Sequence, residues 1–94
     1  MPSNPNAYPK ILLIIPAFNE GEKIGSLLLS LKEQGLEALV VNDGSTDTTA
    51  TILKQYSQID VITSARNQGK GMALRRGIKR ARFQRYQYAI TIDS

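Results

Sequence analysis

The stretch K-I-L-L-I-I-P-A-F-N-E, Lys10 to Glu20, decides how the rest of the chain is read. Ile11 to Ile15 form an unbroken apolar run rather than an alternation. A half-buried strand alternates apolar and polar residues, whereas a strand covered on both faces, as in a parallel sheet, does not need to. Pro16 has no N–H to give, so the ladder is expected to end there. The whole apolar stretch, Ile11 to Phe18, falls far short of the roughly 20 residues a membrane-spanning helix needs.

Working outward, Ile24, Leu27, Leu28 and Leu31 repeat at helical spacing, which predicts a helix over residues 22–33, stopped by Gly35. Ala38 to Asn42 reads as a second strand. D-G-S-T-D is a turn in which Asp47 or Thr46 can cap a helix reaching about Tyr56. Asp60 to Ala65 is a third strand, and R-N-Q-G-K-G a loop. A third helix then sets Ala73, Leu74, Ile78 and Ala81 on one side and basic residues on the other. Tyr88 to Asp93 reads as a fourth, buried strand. The order β-α-β-α-β-α-β predicts an α/β fold with right-handed crossovers, a mainly parallel four-stranded sheet and helices on both faces. In such sheets ligands bind beyond the carboxyl ends of the strands. Residues 1–9, with three prolines and no periodicity, are expected to be a disordered lead-in to one domain over 10–94.

Composition narrows the chemistry. The 94 residues include no Cys and no His, which removes disulfides, thiolate metal sites and the commonest general base. A metal site would have to use oxygen ligands, which suits Mg, Mn or Ca. The net charge of +4 is unevenly placed. Residues 1–60 hold four basic and seven acidic groups, or −3; residues 61–94 hold eight basic and one acidic, or +7. Such a concentration is a solvated helix face, a phosphate contact or a site for an anionic membrane. Sparse aromatics there argue against a nucleic-acid partner. The N-terminus lacks the pattern of a secretory signal, so the cytoplasm is the expected compartment.

Three segments could carry chemistry. In P-A-F-N-E, Phe18 can stack on a base or fill the gap between helix and sheet. Glu20 can complement the helix dipole or accept a ligand hydroxyl. In N-D-G-S-T-D, Asp43 at a strand end can accept a nucleobase N–H, or bond its own downstream backbone in an Asx-turn. Asp47 reads as a helix cap. In N-Q-G-K-G-M-A, a glycine pair and Lys70 open a helix and could face an anion. That segment is neither a P-loop nor a good dinucleotide fingerprint.

Taken together, I-I-P-A-F-N-E, V-V-N-D-G-S-T-D, N-Q-G-K-G-M-A-L-R-R-G-I and the closing A-I-T-I-D-S resemble the nucleotide-binding half of family 2 glycosyltransferases, inverting enzymes of GT-A fold. The likeness runs from about Lys10 to Ser94 and looks closest to bacterial members akin to dolichyl-phosphate mannose synthases. It implies a nucleotide-diphosphate sugar donor, UDP before GDP, and an acceptor glycan or polyprenyl phosphate. It places Pro16, Ala17 and Phe18 by the nucleobase, Glu20 on the nucleoside, Asp43 on the base, and Gly69 and Lys70 beside the nucleotide. Asp93 becomes the first aspartate of a D-x-D motif that binds Mg or Mn and the diphosphate. Asn42 stands where many relatives have another aspartate. The same likeness makes membrane association of the parent protein plausible, at its cytoplasmic face.

The D-x-D motif needs an aspartate after Ser94, and no acid here matches the family's general base. The expectation is therefore an inactive fragment of a transferase, with no catalytic residue of its own and an unprotected fourth strand. The alternative expectation is a non-catalytic nucleotide-binding or interaction domain. A nucleotidyltransferase would instead need a basic, glycine-rich first loop, and a receiver domain a fifth strand.

Overall fold

The computed structural model describes residues 10–92. Its elements are β1 (Ile11–Ala17), α1 (Gly21–Glu33), β2 (Ala38–Asp43), α2 (Thr49–Leu53), β3 (Ile59–Ser64), α3 (Lys70–Phe83) and β4 (Tyr88–Thr91). All strand pairs are parallel, in the order β3-β2-β1-β4. This is the α/β architecture expected from the alternating pattern. The lead-in at residues 1–9 and Asp93 lie outside the described residues.

The apolar run of β1 sends alternate residues to two cores. Leu13, Ile15 and Ala17 face Ile24, Leu28 and Leu31 of α1 and Leu53 of α2. Leu12 and Ile14 face Ala73 and Ala81 of α3. Val40 and Val41 divide β2 between the same two cores. Burying a Leu or Ile contributes roughly 1.5–3 kcal/mol, so the two central strands anchor both layers. The chain moves from β1 to β3 over one face and returns with α3 on the other. The topological switch therefore lies between β1 and β4.

Several local expectations need correction. Pro16 does not end β1: the register continues through Pro16↔Val41 and Ala17↔Asn42, because proline removes a donor but leaves the strand's extended path intact. α2 stops at Leu53 rather than Tyr56; Gln55 N–H and Tyr56 N–H donate to Ile52 and Leu53 carbonyls, a tighter i to i−3 winding. On α3 the buried stripe is Ala73, Gly77 and Ala81, while Ile78 is exposed and Leu74 is only partly buried. These small residues let the helix approach the sheet closely: a Cβ on Gly77 would collide with Ile14 Cγ2. β4 is not buried. Tyr88 is 60% and Ile90 49% exposed, because β4 is the sheet's edge and α1 and α2 cover the other strands.

At the opposite end from the strand tips, Tyr86 closes the sheet. Its hydroxyl donates to Glu37 Oε2 (2.8 Å), and Lys10 Nζ stands 5.1 Å from its ring centre. Burial, with Glu37 as acceptor, pushes the Tyr86 phenol up to about 12.

Candidate functional site

The loops beyond β1, β2 and β3 fold against one another. Asn19 follows β1 with φ +51°, a conformation asparagine tolerates better than most residues. Its N–H donates to Ser45 Oγ (3.0 Å), and its Oδ1 accepts from Thr46 N–H (2.8 Å) and Asp47 N–H (3.3 Å). The first two loops are thus stitched together by one amide side chain. Sequence reasoning singled out its neighbours and missed it; an amide ending an apolar strand was the available signal.

Asp47 does not stand at an N-cap position, which is Thr48 for α2 and Glu20 for α1, but its carboxylate accepts the first N–H of both helices. Oδ1 accepts from Thr49 N–H (2.9 Å) and Thr49 Oγ1 (2.5 Å), and Oδ2 accepts from Gly21 N–H at the start of α1 (3.3 Å). Thr49's hydroxyl, foremost, holds the Asp47 carboxyl below its ordinary value.

Asp43 ends β2 and is 4% exposed. It does not form an Asx-turn. Its Oδ1 accepts from Gln68 N–H and its Oδ2 from Gly69 N–H, each at 2.9 Å. The turn beside it is held instead by Asn42, whose Oδ1 accepts from Ser45 N–H (3.3 Å). The loop after β3 is therefore clamped onto the tip of β2 by a carboxylate. Gly44 makes the approach possible. Its φ is +73°, and a Cβ there would fall on the Arg66 and Asn67 backbone. From the far side, Arg76 of α3 donates to Ser64 Oγ and to Gln68 Oε1.

These contacts shape a cavity of about 270 Å³ at the carboxyl ends of β1 and β2. Pro16, Ala17 and Phe18 form one wall; Glu20 and Asp43 supply carboxylates; Gly69 and Lys70 close it where α3 begins. Every nucleotide-site residue expected from the sequence lines this one cavity. Asn67 and Ala73 line it too and were missed, although both lie inside the quoted N-Q-G-K-G-M-A segment. Phe18 is 44% exposed, so it lines the cavity and does not fill the core. Glu20 Oε2 is buried and has no hydrogen-bond partner among the described residues. Buried acceptors are normally satisfied, so that atom is an exception within the fold.

A match to glycosyl transferase family 2 covers residues 12–94. The chain belongs to glycosyl transferase family 2. Among its relatives is an uncharacterized protein of Methanocaldococcus jannaschii, 36% identical over 89 residues, spanning 88% of this chain and 39% of that protein. The poly-beta-1,6-N-acetyl-D-glucosamine synthase of Staphylococcus aureus strain COL is 33% identical over 90 residues, 89% of this chain and 21% of the synthase. The 4,4'-diaponeurosporenoate glycosyltransferase of S. aureus strain RF122 is 38% identical over 80 residues, 79% of this chain and 21% of the enzyme. The chain thus spans about a fifth to two fifths of the relatives named. Its sheet and helices form a partial GT-A, Rossmann-like fold.

No three of the Asp and Glu residues among 10–92 cluster as a metal site would require. The remaining candidate, Asp93, lies outside the described residues. Among the described residues no helix is long and apolar enough to cross a membrane.

Proposed function

We propose that this chain is the donor-binding part of an inverting glycosyltransferase that uses a nucleotide-diphosphate sugar, UDP-linked before GDP-linked. The observation that carries the reading is the cavity at the strand tips, where an apolar wall meets two carboxylates and the start of a long helix. Its volume of about 270 Å³ suits a nucleoside better than a whole sugar nucleotide, lying just below the roughly 300–1,000 Å³ range of ligand pockets. The base lies against Pro16, Ala17 and Phe18. Asp43 accepts the base N–H. A carboxylate offers about four acceptor positions, and two are already used by Gln68 and Gly69. Glu20 Oε2 accepts a ribose hydroxyl. Gly69 and Lys70 border the phosphates at the N-terminus of α3, where backbone dipoles favour anions.

In the whole protein, a divalent metal held in part by Asp93 would stabilise the diphosphate leaving group. A general base outside the assigned set would deprotonate the acceptor, a glycan hydroxyl or a polyprenyl phosphate. Glu20 and Asp43 are committed to the donor, so no catalytic role is given to them. We place the reaction on the cytoplasmic side.

The test is an amide NMR titration of the chain with UDP, GDP and ADP. UDP or GDP should move the Ala17, Phe18, Gly69 and Lys70 signals ahead of the rest. Equal response to ADP, or no response of those four amides at millimolar nucleotide, refutes the reading.

A further inference from the structure

The outward face of α3 takes no part in the cavity or in either core. It carries Arg75, Lys79 and Arg82, interleaved with Met72, Ile78 and Phe83. All six are exposed, Phe83 to 84%. Arg75, Ile78, Lys79 and Arg82 border a shallow depression. No acidic residue occurs anywhere from Val61 to Ile92, so no carboxylate of that whole segment offsets these cations. Single exposed apolar side chains are ordinary, but here three large ones share one helix face with cations only, without the opposite charges that pair along a typical solvated face.

We propose that this face of α3 docks on an anionic phospholipid bilayer. Charge complementarity selects the partner: three cations on a segment that contains no acid match acidic headgroups. The interleaved Met, Ile and Phe can enter the boundary between headgroups and acyl chains, which is how interfacial amphipathic helices bind. A nucleic acid would satisfy the cations but leave the aliphatic side chains unused, and one aromatic is no stacking platform. The helix lies with its length along the surface and inserts only side chains. Its first residue, Lys70, lines the cavity, so docking would hold the cavity mouth beside the bilayer. The proposal does not depend on the function assigned to that cavity.

The test is co-sedimentation of the chain with phosphatidylcholine vesicles, with and without about a third phosphatidylglycerol. Each basic residue near an anionic surface favours binding by about fivefold, from ~1 kcal/mol per residue. The triple variant Arg75→Glu, Lys79→Glu, Arg82→Glu should therefore bind anionic vesicles at least about 100-fold more weakly. The double variant Arg75→Lys, Arg82→Lys, with Lys79 kept, should retain binding, and Phe83→Ser should weaken it without changing its salt dependence. Far-UV circular dichroism of each variant confirms the fold. The proposal is overturned by equal binding to neutral vesicles, by no binding to anionic ones, by a charge-reversed variant that binds like the parent, or by tighter binding to a 20-nucleotide single strand than to vesicles.

Discussion

Replacing Asp43 by Asn tests the clamp between β2 and the loop after β3. The side chains have the same shape, but the amide keeps one acceptor and turns the other into a donor. Two backbone N–H groups, of Gln68 and Gly69, now compete for one oxygen. The structure indicates which one loses. Gly69 N–H has a second acceptor, Asn67 Oδ1 at 3.1 Å, and Gln68 N–H has none of that kind among the described contacts. The amide oxygen should therefore turn toward Gln68, leaving Gly69 to Asn67. Orphaning a buried donor costs about 1–3 kcal/mol, and the Asn67 fallback keeps the loss near the lower half of that range. With about 4–8 °C of melting temperature per kcal/mol for a domain of this size, Asp43→Asn should lower Tm by roughly 4–16 °C. Asn67→Ala alone should do little, because Asp43 still serves Gly69. The double variant should lose more than the sum of the two, since the fallback is gone. Thermal unfolding by circular dichroism gives all four corners of the cycle. An unchanged Tm for Asp43→Asn, or strict additivity, would refute the clamp. Any effect on nucleotide binding must be titrated below the variant's transition, so that lost affinity is not lost fold.

The other predictions concern the scaffold. Leu28→Ala empties a fully buried site facing Leu13 and Ile15 and should cost about 2–5 kcal/mol, read as a lower urea midpoint; an unmoved midpoint would misplace the α1 stripe. Gly44→Ala meets both a φ of +73° and the Arg66–Asn67 backbone, so it should destabilise by more than about 1 kcal/mol and shift the Gln68 and Gly69 amides; native-like amide spectra and stability would contradict that geometry. Asp47 has a lowered carboxyl pKa, so its contribution is complete above the ordinary 3.8 and fades as pH falls through the lower folded value. In Asp47→Asn that part of the acid-induced loss should vanish, and an acid profile identical to the parent's would count against the paired contacts of Asp47 with Gly21 and Thr49.

Most of the architecture was legible because β1 is unambiguous. One apolar run with no alternation implies cover on both faces, and the helical stripes at Ile24–Leu31 and in α3 supply that cover. What was illegible depends on tertiary geometry. Ile78 looked like core because it falls at helical spacing from Leu74 and Ala81. Yet Gly77 brings the helix so near Ile14 that the buried stripe shifts one residue, to the smallest side chains. β4 is apolar enough to read as buried, but burial depends on what lies over it, and periodicity does not report an edge. The cavity's composition could be read because the chemistry-bearing residues sit directly after strands, whose ends must meet in a parallel sheet. The partners of Asp43 could not: a carboxylate before a glycine looks like a local turn, and its actual donors lie 25 and 26 residues away.

That distant pairing bears on how a carboxylate can line a cavity proposed to take a diphosphate ligand. An unpaired buried carboxylate would repel the phosphates and resist its own desolvation. Asp43 meets neither difficulty in full, because two aligned backbone N–H groups face its two oxygens and spread its charge into the loop they come from. The same loop then turns into α3, whose first residue, Lys70, lines the cavity and whose N-terminus carries the positive end of the helix dipole. One short segment, residues 67–70, thus compensates the acid on its strand side and presents positive potential on its helix side. Shortening or stiffening that loop should disturb both ends of the proposed ligand at once, whereas a change at Glu20, whose free oxygen is tied to neither, should affect the nucleoside end alone. Comparing how Asp43→Asn and Glu20→Gln alter affinity for a nucleoside and for its diphosphate separates the two: if Asp43→Asn weakens the diphosphate no more than the nucleoside, the loop does not couple them.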